Sequence, residues 1–428
     1  MPADFIDPAA LRVGMFVELE LGWMAHPFPS GSFRISSDKQ IAIIRGLGLK
    51  QVRIRPERSE APAATAAPVP AAQPPAAAGR LTSAGGARPG LVARETRLEL
   101  IEAQQRGLAQ CERRFGDAFR QYKQALEQVG SKPRSAREQG VQLVNGLVGE
   151  LLGQGESAIR LLSEGMGDKS SMHPINVAVL SLLLGRAMGL AQAELSDLGL
   201  AAFFHDLGKT QLPDRVRLLE DSFTGAEHSL YQEHVALGVA LARRMDLPGA
   251  ALLAIAQHHE LADGSGFPAR LAGAQISRAA RILALVNRYE NLCNPARPAA
   301  ALTPHEALSL VFAQMQARFD GATLDAFIRM MGVYPPGSVV QLVDERYAVV
   351  VSVNSARPLR PRLIVHEPGV DKGEALVLDL EQAPALGIRR SIKPASLPRA
   401  AMDYLSPRQR ICYFFERAIE PGQQRAVA

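Results

Sequence analysis

His205-Asp206-Leu207-Gly208-Lys209, followed about fifty residues later by His258-His259-Glu260 and then by Asp263-Gly264-Ser265-Gly266-Phe267-Pro268, concentrates more chemistry than any other part of the chain. Three of its nine histidines fall here, two of them adjacent. Imidazoles beside a carboxylate are the donors a divalent transition metal prefers. His205-Asp206 closes the apolar run Leu198, Leu200, Ala201, Ala202 and Phe203, so it reads as the end of a buried helix. Neighbours on a helix point about 100° apart and can reach one cavity without competing for the same volume. A carboxylate in such a setting is costly unless a cation is paired with it. His258-His259 repeats the adjacency at the end of a second helical pattern, Ala250 to His259, and His173 and His234 sit on two more. Alone, each of those last two histidines would read as a core residue; the agreement of independent spacings makes them candidate ligands.

Ligands converging from several helices on a bundle core are how all-helical proteins build a two-metal site. Two ions about 3.5–4 Å apart activate a water and neutralise the phosphoryl oxygens of an in-line displacement, which points to phosphoryl hydrolysis. Asp206 is the candidate bridge. Lys209, just beyond it, reads as a phosphate contact, as a proton donor to the leaving oxygen, or as a plain cation at a helix end. Gly264, Gly266 and Pro268 shape a tight loop where missing side chains allow close backbone approach to a ligand, with Glu260 and Asp263 fastening it.

Length and composition bound the rest. The 428 residues suggest two or three domains. No stretch approaches the roughly 20 apolar residues of a membrane span, and Met1-Pro2-Ala3-Asp4 lacks a signal-peptide pattern. The expected location is cytoplasmic. Cys111, Cys293 and Cys412 are far apart and read as free thiols. The net charge of +5 rests on scattered arginines without interleaved aromatics, which argues against a polynucleotide partner and leaves a small anionic ligand open.

The expected fold is mainly α, with small β elements at both ends. Residues 1–58 read as a small α+β module, with strands at Gly14–Leu21 and Gln51–Ile54 around a helix at Asp38–Leu47. Residues 59–90 are almost entirely Ala, Pro, Gly, Ser and Thr, a flexible linker. Residues 91–165 carry amphipathic helices, one of them from Val141 to Leu162. The Leu98 to Leu126 stripe of the first has two open readings, packing on the helical domain or a homodimer seam. Helical patterns fill 166–332. After Gly332 the period becomes alternating, so 333–428 reads as about four strands and a terminal helix from Pro407 to Ala418.

His205-Asp206-Leu207-Gly208-Lys209 resembles the HDxGK signature of the HD phosphohydrolase superfamily. His258-His259-Glu260 with Asp263 to Pro268 resembles the HHExxDGxGYP element of its HD-GYP branch. The resemblance covers about 166–332, and Trp23-Met24-Ala25-His26-Pro27-Phe28 looks like the uncharacterised module that often precedes this domain. It implies a helical HD-type domain that hydrolyses cyclic di-GMP to pGpG and GMP. It also implies metal ligation by His173, His205, Asp206, His234, His258 and His259, with iron or manganese as the metal. Lys209, Gly264, Gly266, Phe267, Pro268 and Arg297 would face the substrate, and Asp206 and Lys209 would act in catalysis.

Four departures qualify the match. Phe267 replaces the Tyr of GYP, Asn287 stands where the family places an Asp ligand, and Glu290 stands at the second Asp. Lys169 occupies the Glu position of three-metal members, which implies two ions here. An amide oxygen brings a cation no charge. The alternative expectation is therefore a degenerate module that binds nucleotide or a partner such as a diguanylate cyclase without turnover.

Overall fold

The computed structural model describes residues 4–19, 32–35, 40, 41, 44, 45, 49, 51–56, 59, 89–153, 157–163, 169–218, 223–354, 357, 359–383 and 385–417. It divides into two compact units, Met1–Leu100 and Ile101–Ala428.

In the first unit four short strands form an antiparallel sheet: β1 (Asp4–Ile6), β2 (Phe16–Glu18), β3 (Ser32–Arg34) and β4 (Val52–Ile54), in the order β1-β4-β2-β3. Val17 and Val52 turn inward onto Leu11, Ile35, Ile41 and Ile44. Glu18 pairs with Arg55 at 2.9 Å beside them. Strands β2 and β4 fall within the stretches expected to be strands, and β1 and β3 are additional to them. Gln40, Ile41, Ile44 and Arg45 are helical as expected. The rest of that helix, the Trp23–Phe28 stretch with His26, and nearly all of the Ala/Pro-rich linker lie outside the described residues.

The second unit is a helical bundle backed by a sheet. Helix α1 (Pro89–Gln128), part of this unit from Ile101 onward, is followed by α2 (Pro133–Leu152), and a strand β5 (Ser157–Leu161) leads into the bundle. The bundle comprises α3 (Lys169–Ala187), α4 (Gln192–Phe204), α5 (Gly225–Arg244), α6 (Gly249–Gln257), α7 (Arg278–Cys293), α8 (Pro304–Met315) and α9 (Gly321–Met331). Thr303 with Glu306 caps α8, and Asp320 caps α9 through the Thr323 amide at 2.9 Å. Helices α3 and α4 are apolar nearly all round and buried, the pattern of central helices. From Ile101 onward the apolar face of α1 is covered from within the chain: Tyr122 meets Phe203 edge-on at 4.9 Å, and Phe115 meets Phe414 at 6.4 Å.

Two expected helices are corrected. The pattern assigned to Val141–Leu162 stops at Leu152, and Ser157–Leu161 is strand β5. The expected terminal helix Pro407–Ala418 is instead β11 (Tyr413–Arg417), paired antiparallel with β5 from Tyr413 opposite Leu161 to Arg417 opposite Ser157. A short apolar run buried on both faces has no periodicity to separate strand from helix, and the partner is about 250 residues away in sequence. Five more strands complete the sheet: β6 (Val339–Leu342), β7 (Tyr347–Asn354), β8 (Arg362–Val365), β9 (Val377–Asp379) and β10 (Ile388–Ser391). Its order is β10-β6-β7-β5-β11, with β8 also on β7 and β9 on β8. The β unit is thus not confined to residues 333–428, because β5, at the junction of β7 and β11, comes from ahead of the bundle. A short helix α10 (Arg399–Leu405) also lies there.

Candidate metal centre

Asp206 occupies the middle of a buried polar cluster built by four segments. His173 lies in the first turns of α3, His205 caps the C-terminal end of α4 just before Asp206, and His234 is inside α5. His258 closes α6, and His259 begins the loop after it. Glycine brings two of these elements together. A Cβ on Gly208 would stand 1.9 Å from the His234 carbonyl oxygen and 2.5 Å from the Gly238 nitrogen. Only a residue without a side chain lets the segment after Asp206 lie directly on α5.

The cluster has two halves. Asp206 Oδ2 lies 3.5 Å from His173 Nε2 and 3.4 Å from His205 Nε2. Asp206 Oδ1 lies 3.8 Å from His234 Nε2 and 3.9 Å from His258 Nε2. His259 Nε2 joins the second half, 3.1 Å from His234 Nε2. Within each half, the candidate ligand atoms all lie within 4.8 Å of one another.

Hydrogen bonds orient the rings. His205 Nδ1 donates to the Ala202 carbonyl at 2.7 Å, His234 Nδ1 to Tyr231 at 2.5 Å and His258 Nδ1 to Ile255 at 2.6 Å. His173 Nδ1 pairs with the Glu290 carboxylate. A neutral imidazole that donates through Nδ1 offers a bare lone pair at Nε2, the arrangement found where an outer partner fixes a metal-ligating histidine. These lone pairs face one another: His173 Nε2 and His205 Nε2 are 3.2 Å apart, and His234 Nε2 and His258 Nε2 are 3.3 Å apart.

Charge agrees with geometry. Burial, with Lys209 nearby, lowers His234 to about 4. Burial and the neighbouring imidazoles hold His258 and His259 well below the usual histidine value. All three stay neutral, as metal ligands must. Burial pushes the Asp206 carboxyl up, but the surrounding charge and hydrogen bonds, the Lys209 ammonium among them, outweigh it and hold the group ionised, well below the usual carboxylate range. Among the described residues, buried Asp206 Oδ1 has no hydrogen-bond partner. A buried anionic oxygen without a partner, facing imidazole lone pairs, is satisfied by a cation. The donor set therefore fits divalent metal.

Lys209 Nζ donates to Asp206 Oδ2 at 2.7 Å and lies 5.3 Å from the Tyr231 ring centre. Burial disfavours its charge, but Asp206 and Tyr231 prevail and raise its pKa above the ordinary lysine value. An ammonium held in this way is a fixed positive charge beside Asp206.

The centre opens onto a cleft of about 700 Å³ whose walls include Lys209, His258, His259, Phe267, Pro268 and Arg297. This volume falls within the roughly 300–1,000 Å³ of small-molecule sites. Gly264 and Gly266 also line it, but their missing side chains serve the loop itself. Gly264 is left-handed at φ 76, and a Cβ on Gly266 would stand 2.5 Å from both the His259 oxygen and the Leu261 nitrogen. Glu260 fastens the loop as expected, accepting from the Ala269 and Leu271 amides at 2.7 and 2.8 Å. Asp263 accepts from the Ser265 amide at 2.9 Å. Phe267 stacks on His259 with ring centres 4.5 Å apart.

Asn287 reaches the cleft wall, but its Oδ1 accepts from Asn291 Nδ2 at 2.7 Å. Glu290 is buried behind His173 and is its partner. Burial raises the Glu290 carboxyl, yet His173 and the amides of Asn176 and Asn294 bring it below the usual value. Sequence reasoning missed Tyr231, Arg270, Arg288 and Arg318 on the cleft wall; they belong to no motif, and only folding gathers them.

Residues 156–323 match the HD domain family, and residues 5–139 match the Domain of unknown function DUF3391. The chain is 27% identical over 359 residues to the cyclic di-GMP phosphodiesterase PA4108 of Pseudomonas aeruginosa, covering 83% of each chain. It is 33% identical over 150 residues to the cyclic di-GMP phosphodiesterase response regulator RpfG of Xanthomonas campestris, covering 34% of this chain and 39% of that one. It is 32% identical over 131 residues to the 3'3'-cGAMP-specific phosphodiesterase 2 of Vibrio cholerae, covering 30% of this chain and 25% of that one. Among the described residues, no helix is long and apolar enough to cross a membrane. The chain thus carries a match to the HD domain at residues 156–323 and, ahead of it, a match to DUF3391 at residues 5–139.

Proposed function

We propose that this protein is a metal-dependent phosphodiesterase that hydrolyses cyclic di-GMP to pGpG and GMP. The observation that carries the reading is the shared Asp206 carboxylate, with one oxygen toward His173 and His205 and the other toward His234 and His258. His173 and His205 would hold one divalent ion, and His234, His258 and His259 a second; manganese and iron suit these imidazole and carboxylate donors. When bound, such ions supply charge neutralisation at phosphoryl oxygens and lower the pKa of water. Lys209 keeps Asp206 ionised and adds a fixed positive charge at the cleft floor. Arg297 adds a guanidinium for a phosphate, and Phe267, braced on His259, adds a ring at the wall for a base. A cleft with cations and a ring beside paired metal sites suits a cyclic dinucleotide. The names of the relatives favour cyclic di-GMP over its mixed-base analogue.

Anaerobically purified protein loaded with Mn(II) or Fe(II) is expected to convert cyclic di-GMP to pGpG and GMP, read by separation of the products. Asp206→Asn, which keeps the shape and removes the shared charge, is expected to bring turnover to background. Undiminished turnover in that variant would sink the assignment. A second reading, binding without turnover, is favoured by Asn287, an uncharged amide whose oxygen is engaged by Asn291. Asn287→Asp separates the two: an enzyme working with one ligand short gains metal affinity and rate, whereas a binding module gains no rate.

A further inference from the structure

The strand that ends the described chain lies outside both family matches, yet it is wired to the metal centre. Behind His173, Glu290 Oε1 accepts from Asn294 Nδ2 at 2.8 Å and from Asn176 Nδ2 at 3.2 Å. Both amides turn their remaining capacity onto one short piece of backbone. Asn176 Nδ2 and Asn294 Nδ2 each donate to the Ile411 carbonyl at 2.9 Å. The Ile411 N–H donates to Asn294 Oδ1 at 2.8 Å, and the Tyr413 N–H donates to Asn176 Oδ1 at 3.0 Å. All four side chains in this relay, His173, Asn176, Glu290 and Asn294, are buried.

Spacing makes the relay possible. Asn176 follows His173 by three residues on α3, and Asn294 follows Glu290 by four at the end of α7, so each pair shares a helix face. The two asparagines act as side-chain ladder partners for residues 411–413, and that backbone holds their amides against Glu290. Buried groups in such a network have no water to turn to, so one misplaced member misplaces the others.

We infer that the segment leading into β11 is a structural part of the metal centre, setting the orientation of His173 through the positioning residues Asn176, Asn294 and Glu290. This rests on the metal-centre reading above. It predicts an asymmetry: the relay touches only the half of the cluster made by His173 and His205, because Glu290 has no contact with His234, His258 or His259 among the bonds described.

The test is Mn(II) binding to the metal-free full-length chain, followed by calorimetry and by electron paramagnetic resonance of the bound ion. The wild type is expected to take two ions. Glu290→Gln removes the carboxylate, and Asn294→Asp sets a second acceptor against Glu290 and the Ile411 carbonyl. Each is expected to weaken one site by about 10–100-fold, the usual effect of losing an outer partner of a metal-ligating histidine, and to leave the other site unchanged. Tyr289→Phe is the control. It removes a hydroxyl 3.1 Å from the Tyr413 hydroxyl, a tie between the same helix and strand that does not lead to His173, and both sites should persist.

Two sites of wild-type affinity in folded Glu290→Gln would overturn the inference, as would equal weakening of both sites in all three variants. If Asn294→Asp fails to fold, Glu290→Gln against Tyr289→Phe decides alone. A wild-type chain that binds no Mn(II) would overturn the metal-centre reading itself and this inference with it.

Discussion

At the scale of single residues, the side chains that carry charge depend on ones that carry nothing. Asp206 can face His234 because Gly208 allows the backbone after it to touch α5. A methyl group there would meet backbone atoms, which cannot swing aside. Overpacking of this kind typically costs about 1–3 kcal/mol, and contact with backbone puts Gly208→Ala at the upper end. The comparison is Gly146, on the exposed side of α2, where an added Cβ meets nothing within 4 Å. Gly146→Ala is expected to gain up to about 1 kcal/mol from helix propensity. Chemical denaturation of the two variants should therefore move in opposite directions, and Gly208→Ala should also lose bound metal. Both glycines look alike in the sequence apart from the motif around Gly208.

At the scale of elements, His305 joins the start of α8 to the turn after α9. Its Nδ1 donates to the Val333 carbonyl at 2.8 Å, and its ring stacks on Tyr334 with centres 5.1 Å apart. Burial lowers its pKa from the usual 6.5. The unfolded chain therefore binds a proton at His305 at higher pH than the folded chain does. Its contribution is fully present above about pH 6.5 and is lost as pH falls through the lower folded value. The melting temperature of the metal-loaded protein should fall from pH 7 to pH 5, and His305→Gln should fall less steeply across that window. Equal slopes would show that His305 does not titrate as described. His305 is thus a strut between two elements.

At the scale of the whole molecule, two lone-pair clusters around one carboxylate are held together by the bundle. In metal-free protein these groups repel or stand unsatisfied. A ligand that binds only the folded state adds about 2.7 kcal/mol at one hundred times its dissociation constant. Thermal unfolding with and without a chelator should show a clear rise in melting temperature with Mn(II), and Asp206→Asn should abolish most of that rise. An equal rise in the variant would locate the stabilising ion elsewhere.

The same scale separates what was legible in the sequence from what was not. The clustered histidines, the HD pair, the loop glycines and most helices of the bundle follow from local signals: helical spacing of apolar residues, caps such as Thr303 with Glu306, and motif residues within a few positions of one another. These depend on interactions between near neighbours in the chain, so they leave a pattern there. The strands β5 and β11 left none, because each is a short apolar run whose identity is set by a partner about 250 residues distant. Glu290 looked like a departure from a ligand pattern and became the partner of His173. The arginines of the cleft wall come from separate elements and meet only on folding. The sequence by itself determined the chemistry available, imidazoles and a carboxylate on apolar helices, since residue type and helical period are local properties. The tertiary structure alone decided which nitrogen faces which oxygen and which strand holds the histidine in place, because those contacts join segments that have no relation along the chain.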